Sequence, residues 1–214
     1  MHFLPEEIDD YVVAHTAGEP ELLQQLNRET YQKILQPRML SGHYQGRVLN
    51  MISKLAKPKT ILEIGTYTGY SAICLAEGMQ DSGELHTIDI NEELFDFQRK
   101  YFDKSGFGKQ IIQHLGDALD IIPKLDMNFD LVFIDADKEN YANYFHAIID
   151  KMNPGGVILS DNVLWSGKVL ETKFKKEDTS TPALIEYNKL LKEDSRVETV
   201  MLPIRDGLTI SRKK

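Results

Sequence analysis

Residues Thr60 to Ser71 read TILEIGTYTGYS, an apolar strand running into a glycine turn and then a helix. A buried strand that turns on glycines straight into a helix belongs to a parallel α/β sheet, whose ligands gather beyond the carboxyl ends of the strands. Gly65 and Gly69 let the backbone approach a ligand closely, and the next helix offers its N-terminus. Twenty positions past Gly69 stands Asp89, at the end of another apolar run, ELHTID. An acidic residue at about that distance can accept both hydroxyls of a ribose. The chain therefore looks built to hold a nucleoside. The spacing is Gly-x-x-x-Gly, so the Gly-x-Gly-x-x-Gly turn of dinucleotide enzymes is not matched.

From Thr60 onward strands and helices alternate. Strands are expected at Thr60–Ile64, Glu84–Asp89, Ile111–Leu115, Asp130–Asp135, Gly156–Ser160, Val197–Leu202 and Leu208–Ser211. Helices fit Ser71–Glu77, Glu92–Ser105, Leu119–Leu125, Asn140–Met152 and Thr181–Glu193. Such alternation implies a parallel sheet covered on both faces. Only PIRDG separates the last two strands, too short for a crossover helix, so they should pair as an antiparallel hairpin. The expected fold is α/β: a doubly wound, seven-stranded, mostly parallel, Rossmann-like sheet ending in that hairpin. Before it, Pro5 to about Gln36 reads as one or two helices, broken near Gly18 and Pro20, with an apolar stripe including Ile8, Val12, Leu22, Leu26 and Ile34. PRMLSGHYQGRVL is a loop entering a further helix that ends near Lys57 and Pro58. The whole reads as a single domain, a helical segment over 1–58 and a core over 59–214.

A chain of 214 residues holds one such domain with a full core. Its net charge of −8 argues against an extended nucleic-acid surface, though not against a local basic patch. The lone Cys74 lies on the apolar face of a helix and fits a reduced, cytoplasmic setting. No stretch approaches the roughly 20 apolar residues that span a membrane, and the N-terminal MHFLPEEIDD is acidic where a signal peptide would be basic. His2, His15, His43, His86, His114 and His146 form no metal or triad spacing and read as structural or surface residues. There is no Gly-x-Ser-x-Gly elbow, and no Tyr is followed by Lys four positions later.

The strand ends carry acids: Glu63 on the first, Asp89 on the second, Asp135 with Asp137 on the fourth, and Asp161 followed by Asn162 on the fifth. If the fourth and fifth strands are neighbours, Asp135, Asp161 and the Asn162 amide oxygen can meet on one ion. Three oxygen ligands suit a hard divalent cation, Mg²⁺ first, with Ca²⁺ or Mn²⁺ as alternatives. The other reading is that Asp135 and Asp161 cap the helices that follow. Lys138, three positions past Asp135, is a base if a nearby cation depresses its pKa, or else a solvated charge.

LEIGTYTGYSA, FIDADKENY, SDNVLWSGKV and LPIRDGLTIS, with PRMLSGHYQG before them, together resemble the cation-dependent, caffeoyl-CoA/catechol type of S-adenosylmethionine O-methyltransferase. The motifs run in the family's order from about Met39 to the C-terminus. The resemblance implies a class I methyltransferase fold and metal binding by Asp135, Asp161 and Asn162. It implies that Glu63, Gly65 and Ser71 hold the amino-acid part of S-adenosylmethionine with Tyr67 nearby, and that Asp89 holds the ribose. Asp117 and Ala118 then sit beside the adenine, Met39 and Ser41 close over the cofactor, and Asp137 is a further contact. Lys138 matches the family's catalytic base, and Trp165 and Ser166 its acceptor contacts. A homodimer is also implied. One stretch departs. KFKKEDTSTPALIEYNKLL is shorter than the plant enzymes' segment and shows no evident counterpart of the Arg and Tyr residues with which they hold a CoA ester. The closer likeness is to small bacterial members that methylate catechols, hydroxylated phenylpropanoids or flavonoids. Some relatives methylate a hydroxyuridine in tRNA, which keeps a nucleic-acid substrate as the alternative. It would need Arg38, Arg47, Lys168, Lys173, Lys175, Lys176 and Arg205 to converge on one face. A non-catalytic cofactor-binding module is weakened by the intact metal set and Lys138.

Overall fold

Near-continuous apolar runs between turns should give strands buried on both faces, and at the centre of the sheet they do. A computed structural model describes residues 5–214; the first four, His2 among them, lie outside the described residues. The strands are β1 (Thr60–Ile64), β2 (Glu84–Asp89), β3 (Ile111–Leu115), β4 (Phe129–Ile134), β5 (Met152–Asp161), β6 (Val197–Leu202) and β7 (Leu208–Lys213). They form one sheet in the order β3-β2-β1-β4-β5-β7-β6. The first five pair in parallel, and β7 runs antiparallel to β5 and β6 on either side of it. Strand order reverses between β1 and β4. That is the switch point where an open α/β sheet leaves a crevice for ligands.

Alternate residues feed two cores. Ile61, Leu131, Phe133 and Leu159 pack with α2 (Glu21–Lys33), α3 (Gly42–Ala56), α4 (Tyr70–Ala76) and α5 (Phe95–Lys104). Leu62, Ile64, Val132, Ile134 and Ile158 pack with α6 (Ala118–Ile121), α7 (Tyr141–Ile149) and α8 (Ser180–Glu193). α1 (Glu6–Ala14) buries no residue. Of the expected N-terminal stripe Leu26 is fully buried, but Ile8 is 48% exposed, because periodicity marks a helix without saying what covers it.

Several boundaries differ from expectation, three of them for a visible physical reason. β5 begins at Met152, before Pro154 and Gly155, because an irregularity in the ladder carries the register from Met152 to Val157 while β4 advances from Phe129 to Leu131. Pro123 turns the end of the helix after β3 into a 3-10 turn, Ile122–Lys124. A 3-10 turn, Lys138–Asn140, precedes α7. Among the described residues no helix is long and apolar enough to cross a membrane.

Candidate active site

The turn after β1 is shaped by the protein's own packing. Gly65 has φ +100°, and a Cβ there would fall 2.2 Å from the Asp135 carbonyl oxygen. Gly69 has φ +87°, and a Cβ there would fall 2.5 Å from the Phe102 ring. The missing side chains therefore make room within the protein itself, for the Asp135 carbonyl after β4 and for the Phe102 ring of α5. The turn also offers a backbone donor. Tyr67, itself left-handed at φ 49°, donates its N–H to Asp89 Oδ2 at 2.7 Å, and Asn91 N–H donates to Oδ1 at 2.9 Å. Each carboxylate oxygen is oriented and keeps lone-pair capacity for a hydroxyl donor.

Glu63 is fully buried at the end of β1. Its Oε2 accepts from the Thr87 hydroxyl at 2.5 Å, while Oε1 makes no hydrogen bond of ordinary geometry. Burial pushes its carboxyl up to about 8, against the pull of the Ser71 and Thr87 hydroxyls, with Asp135 and Asp89 adding to the rise. A buried acceptor without a donor is costly unless a ligand supplies one. The Glu63 and Asp89 carboxylates therefore fit a ligand carrying an ammonium and a ribose.

Other residues expected at this ligand are placed nearby on elements with local work of their own. Asp117 caps α6, its Oδ1 accepting from Leu119 N–H at 2.8 Å, and Ala118 is buried behind it. Asp137 holds the 138–144 segment through the Asn140 amide at 2.6 Å and the Tyr144 hydroxyl. Met39 is 57% exposed on the N-terminal loop, and Ser41 is buried at the start of α3. That loop is fastened at both ends. The Tyr67 hydroxyl lies 3.2 Å from the Leu35 and Gln36 carbonyls, and the Arg205 guanidinium donates to the Leu40 and Ser41 carbonyls.

Asp135 and Asp161 close the neighbouring strands β4 and β5. Neither caps a helix: Asp137 and Leu164 occupy the capping positions of the two turns that follow. Asp161 Oδ1 accepts from Asn162 N–H at 2.8 Å, and Oδ2 from the Gln45 amide at 2.6 Å. Burial raises the Asp135 carboxyl, the Lys138 charge draws it back, and the Asp161 carboxylate raises it further. Asn162 turns at φ 56°, directly after Asp161. Among the described residues no three His, Cys, Asp or Glu side chains gather as a metal site. The expected set is two carboxylates and an amide. Two acids on adjacent strand ends, with three hard oxygens and no nitrogen or sulfur in the expected set, fit a hard divalent cation and not zinc.

Lys138 is no solvated charge. It is 8% exposed, and its Nζ donates to Asp135 Oδ1 at 2.9 Å and to the Tyr141 hydroxyl at 2.6 Å. Tyr141, fully buried, in turn reaches the Ile134 carbonyl at 3.2 Å and the Asp161 carbonyl at 3.0 Å. It thereby ties the ends of β4 and β5. Trp165, Ser166 and Gly167 are all left-handed, at φ 46°, 55° and 82°. Their loop is pinned to the β6–β7 turn, where Asp206 accepts from Ser166 N–H at 2.5 Å.

Sequence reasoning missed Gln45, Tyr141 and Asp206. Tyr141 carried a faint signal, one turn past Lys138. Gln45 carried none, since a neutral side chain 116 positions from Asp161 has no spacing to read. Of the basic residues that a nucleic-acid face would need, Arg47 is only 9% exposed and paired with Glu77 at 3.0 Å, so it is withdrawn from any such face.

Residues 13–214 match the family model described as O-methyltransferase. The chain is 38% identical over 205 residues to caffeoyl-CoA O-methyltransferase of Petroselinum crispum, covering 91% of this chain and 85% of that protein. Among solved structures, SAH-bound methyltransferase PaMTH1 of Podospora anserina superposes with a TM-score of 0.88 at 31% identity, covering 100% of this chain and 99% of that one. The O-methyltransferase TomG of Streptomyces achromogenes, in complex with SAM, gives 0.88 at 28% identity, covering 97% and 96%. With its sheet order, its strand-end acids and nearly its whole length matched, the chain belongs to the O-methyltransferase family.

Proposed function

We propose that the chain transfers a methyl group from S-adenosylmethionine to one hydroxyl of an aromatic vicinal diol, a catechol, hydroxylated phenylpropanoid or flavonoid, with Mg²⁺ at Asp135, Asp161 and Asn162. Ca²⁺ and Mn²⁺ are the alternative ions. The observation that carries the reading is the buried Lys138 amine set against Asp135, with Asp161 on the adjacent strand. The SAH and SAM complexes of related proteins support the methyl donor.

Glu63 takes the donor's ammonium on its unpaired Oε1, and Asp89 takes the ribose hydroxyls. A bound divalent cation supplies an acidified, oriented acceptor hydroxyl. Lys138 receives the proton. Its bonds to Asp135 and Tyr141 use two of the four tetrahedral positions on Nζ and its own chain a third. The fourth holds the lone pair when the amine is neutral. Trp165 and Ser166 border the acceptor. The sulfonium is already a good leaving group, so these side chains mainly position the reactants, an effect worth up to about 7–11 kcal/mol. The chain works as a homodimer in this reading.

The test is methyl transfer from labelled S-adenosylmethionine to catechols, CoA esters and undermodified tRNA, with and without EDTA. Turnover of a catechol that EDTA abolishes and Mg²⁺ restores is expected. Transfer to tRNA alone would replace the acceptor, and full activity in excess EDTA would remove the metal.

A further inference from the structure

Gln45 is 2% exposed on α3, and both ends of its amide are engaged. Arg205 Nη1 donates to Gln45 Oε1 at 2.8 Å, and Gln45 Nε2 donates to Asp161 Oδ2 at 2.6 Å. A guanidinium only donates and a carboxylate only accepts, so the amide has one permitted orientation between them. The other Asp161 oxygen is held by Asn162 N–H. Arg205 is held in turn at φ 49° in the β6–β7 turn, and also grips the Leu40 and Ser41 carbonyls. Three segments far apart in the chain thus converge on one carboxylate.

We propose that Gln45 and Arg205 are positioning residues that fix the Asp161 carboxylate for the cation and fasten it to the N-terminal loop. The proposal rests on the metal reading given above. With Gln45 in place Asp161 cannot rotate without breaking a buried hydrogen bond. With Arg205 in place the amide cannot flip to turn its oxygen on Asp161. Groups that orient ligands in this way typically govern metal affinity by about 10- to 100-fold.

Mn²⁺ binding to the free protein, followed by electron paramagnetic resonance, tests this without turnover. Gln45→Met keeps the shape and removes both hydrogen bonds. It should weaken Mn²⁺ by about tenfold or more, with SAH affinity close to wild type and a melting temperature lowered by the two lost hydrogen bonds. Gln45→Leu, which also removes both hydrogen bonds, should weaken Mn²⁺ to a similar degree. Should the buried substitutions prevent folding, Arg205→Met, in an exposed turn, should also weaken Mn²⁺, and should loosen SAH through the freed loop. Wild-type Mn²⁺ affinity in a folded Gln45→Met or Arg205→Met protein would overturn the proposal and leave the metal reading standing. A wild-type protein that binds no Mn²⁺ and methylates in EDTA would overturn both, before any variant is made.

Discussion

The Lys138 ammonium donates to the Tyr141 hydroxyl at 2.6 Å, and that hydroxyl bridges the carbonyls that end β4 and β5. One contact therefore joins the proposed base to the splice between two strands. Lys138→Ala should lower turnover by about two to four decades, the range of a general base, and leave SAH binding intact. Tyr141→Phe should cost about 1–3 kcal/mol of stability, since the one hydroxyl proton that two buried carbonyls share is lost, and a smaller part of turnover. Single-turnover rates and denaturant titrations separate the two. A Lys138→Ala protein of wild-type rate would end the assignment of the base.

Asp161→Ala should abolish methyl transfer while S-adenosylmethionine still binds. Its carboxylate meets the Gln45 amide and Asn162 N–H, away from Glu63 and Asp89. Activity assays beside calorimetry with SAH would show the split. Loss of SAH binding would mean that Asp161 belongs to the other ligand.

Asp89→Ala removes a carboxylate preset by the Tyr67 and Asn91 amides. Calorimetry should record a loss of about 1.5–3 kcal/mol in SAH binding, one to two decades. An unchanged affinity would mean that the ribose lies elsewhere.

Glu63 titrates near 8 in the folded chain, against an ordinary 4.5, because it is buried. Between those values the folded state binds more protons than the unfolded one, so stability falls as pH rises. The contribution is complete below about pH 4.5 and gone above about pH 8. Glu63→Gln removes this dependence. Its melting temperature should gain on wild type through that window and level off above it, while SAH binding weakens at every pH. Parallel melting curves from pH 4 to 9 would contradict the burial argument.

Gly65→Ala should be strongly destabilising, through both its φ of +100° and the 2.2 Å approach to the Asp135 carbonyl. Backbone strain of this kind costs about 1–3 kcal/mol, before the clash is counted. A thermal melt within a degree or two of wild type would show that the turn can give.

The sheet was legible because its signals are local. β1, β2, β3 and β6 begin and end where the apolar runs do. Asp135 and Asp161 could be paired from strand order alone, since parallel strands end on the same side. What the sequence did not disclose is contact between distant segments. β5, expected from Gly156, begins at Met152 and carries Pro154 and Gly155 through a bulge. Gly65 reads from sequence only as a ligand's turn, and its close approach to the Asp135 carbonyl shows only in the fold. Gln45 and Arg205 are separated by 160 positions, and only the folded backbone brings them together.

The position of β7 between β5 and β6 also sets an order of assembly. β6 is made before β7 yet has no place in the sheet until β7 has paired with β5, since β7 is its sole neighbour there. The turn that carries Arg205 to Gln45 lies between those two strands. The pairing that seats β7 in the sheet therefore also brings Asp161 the last of its support, so that the last strands and the proposed ion's site stand or fall together.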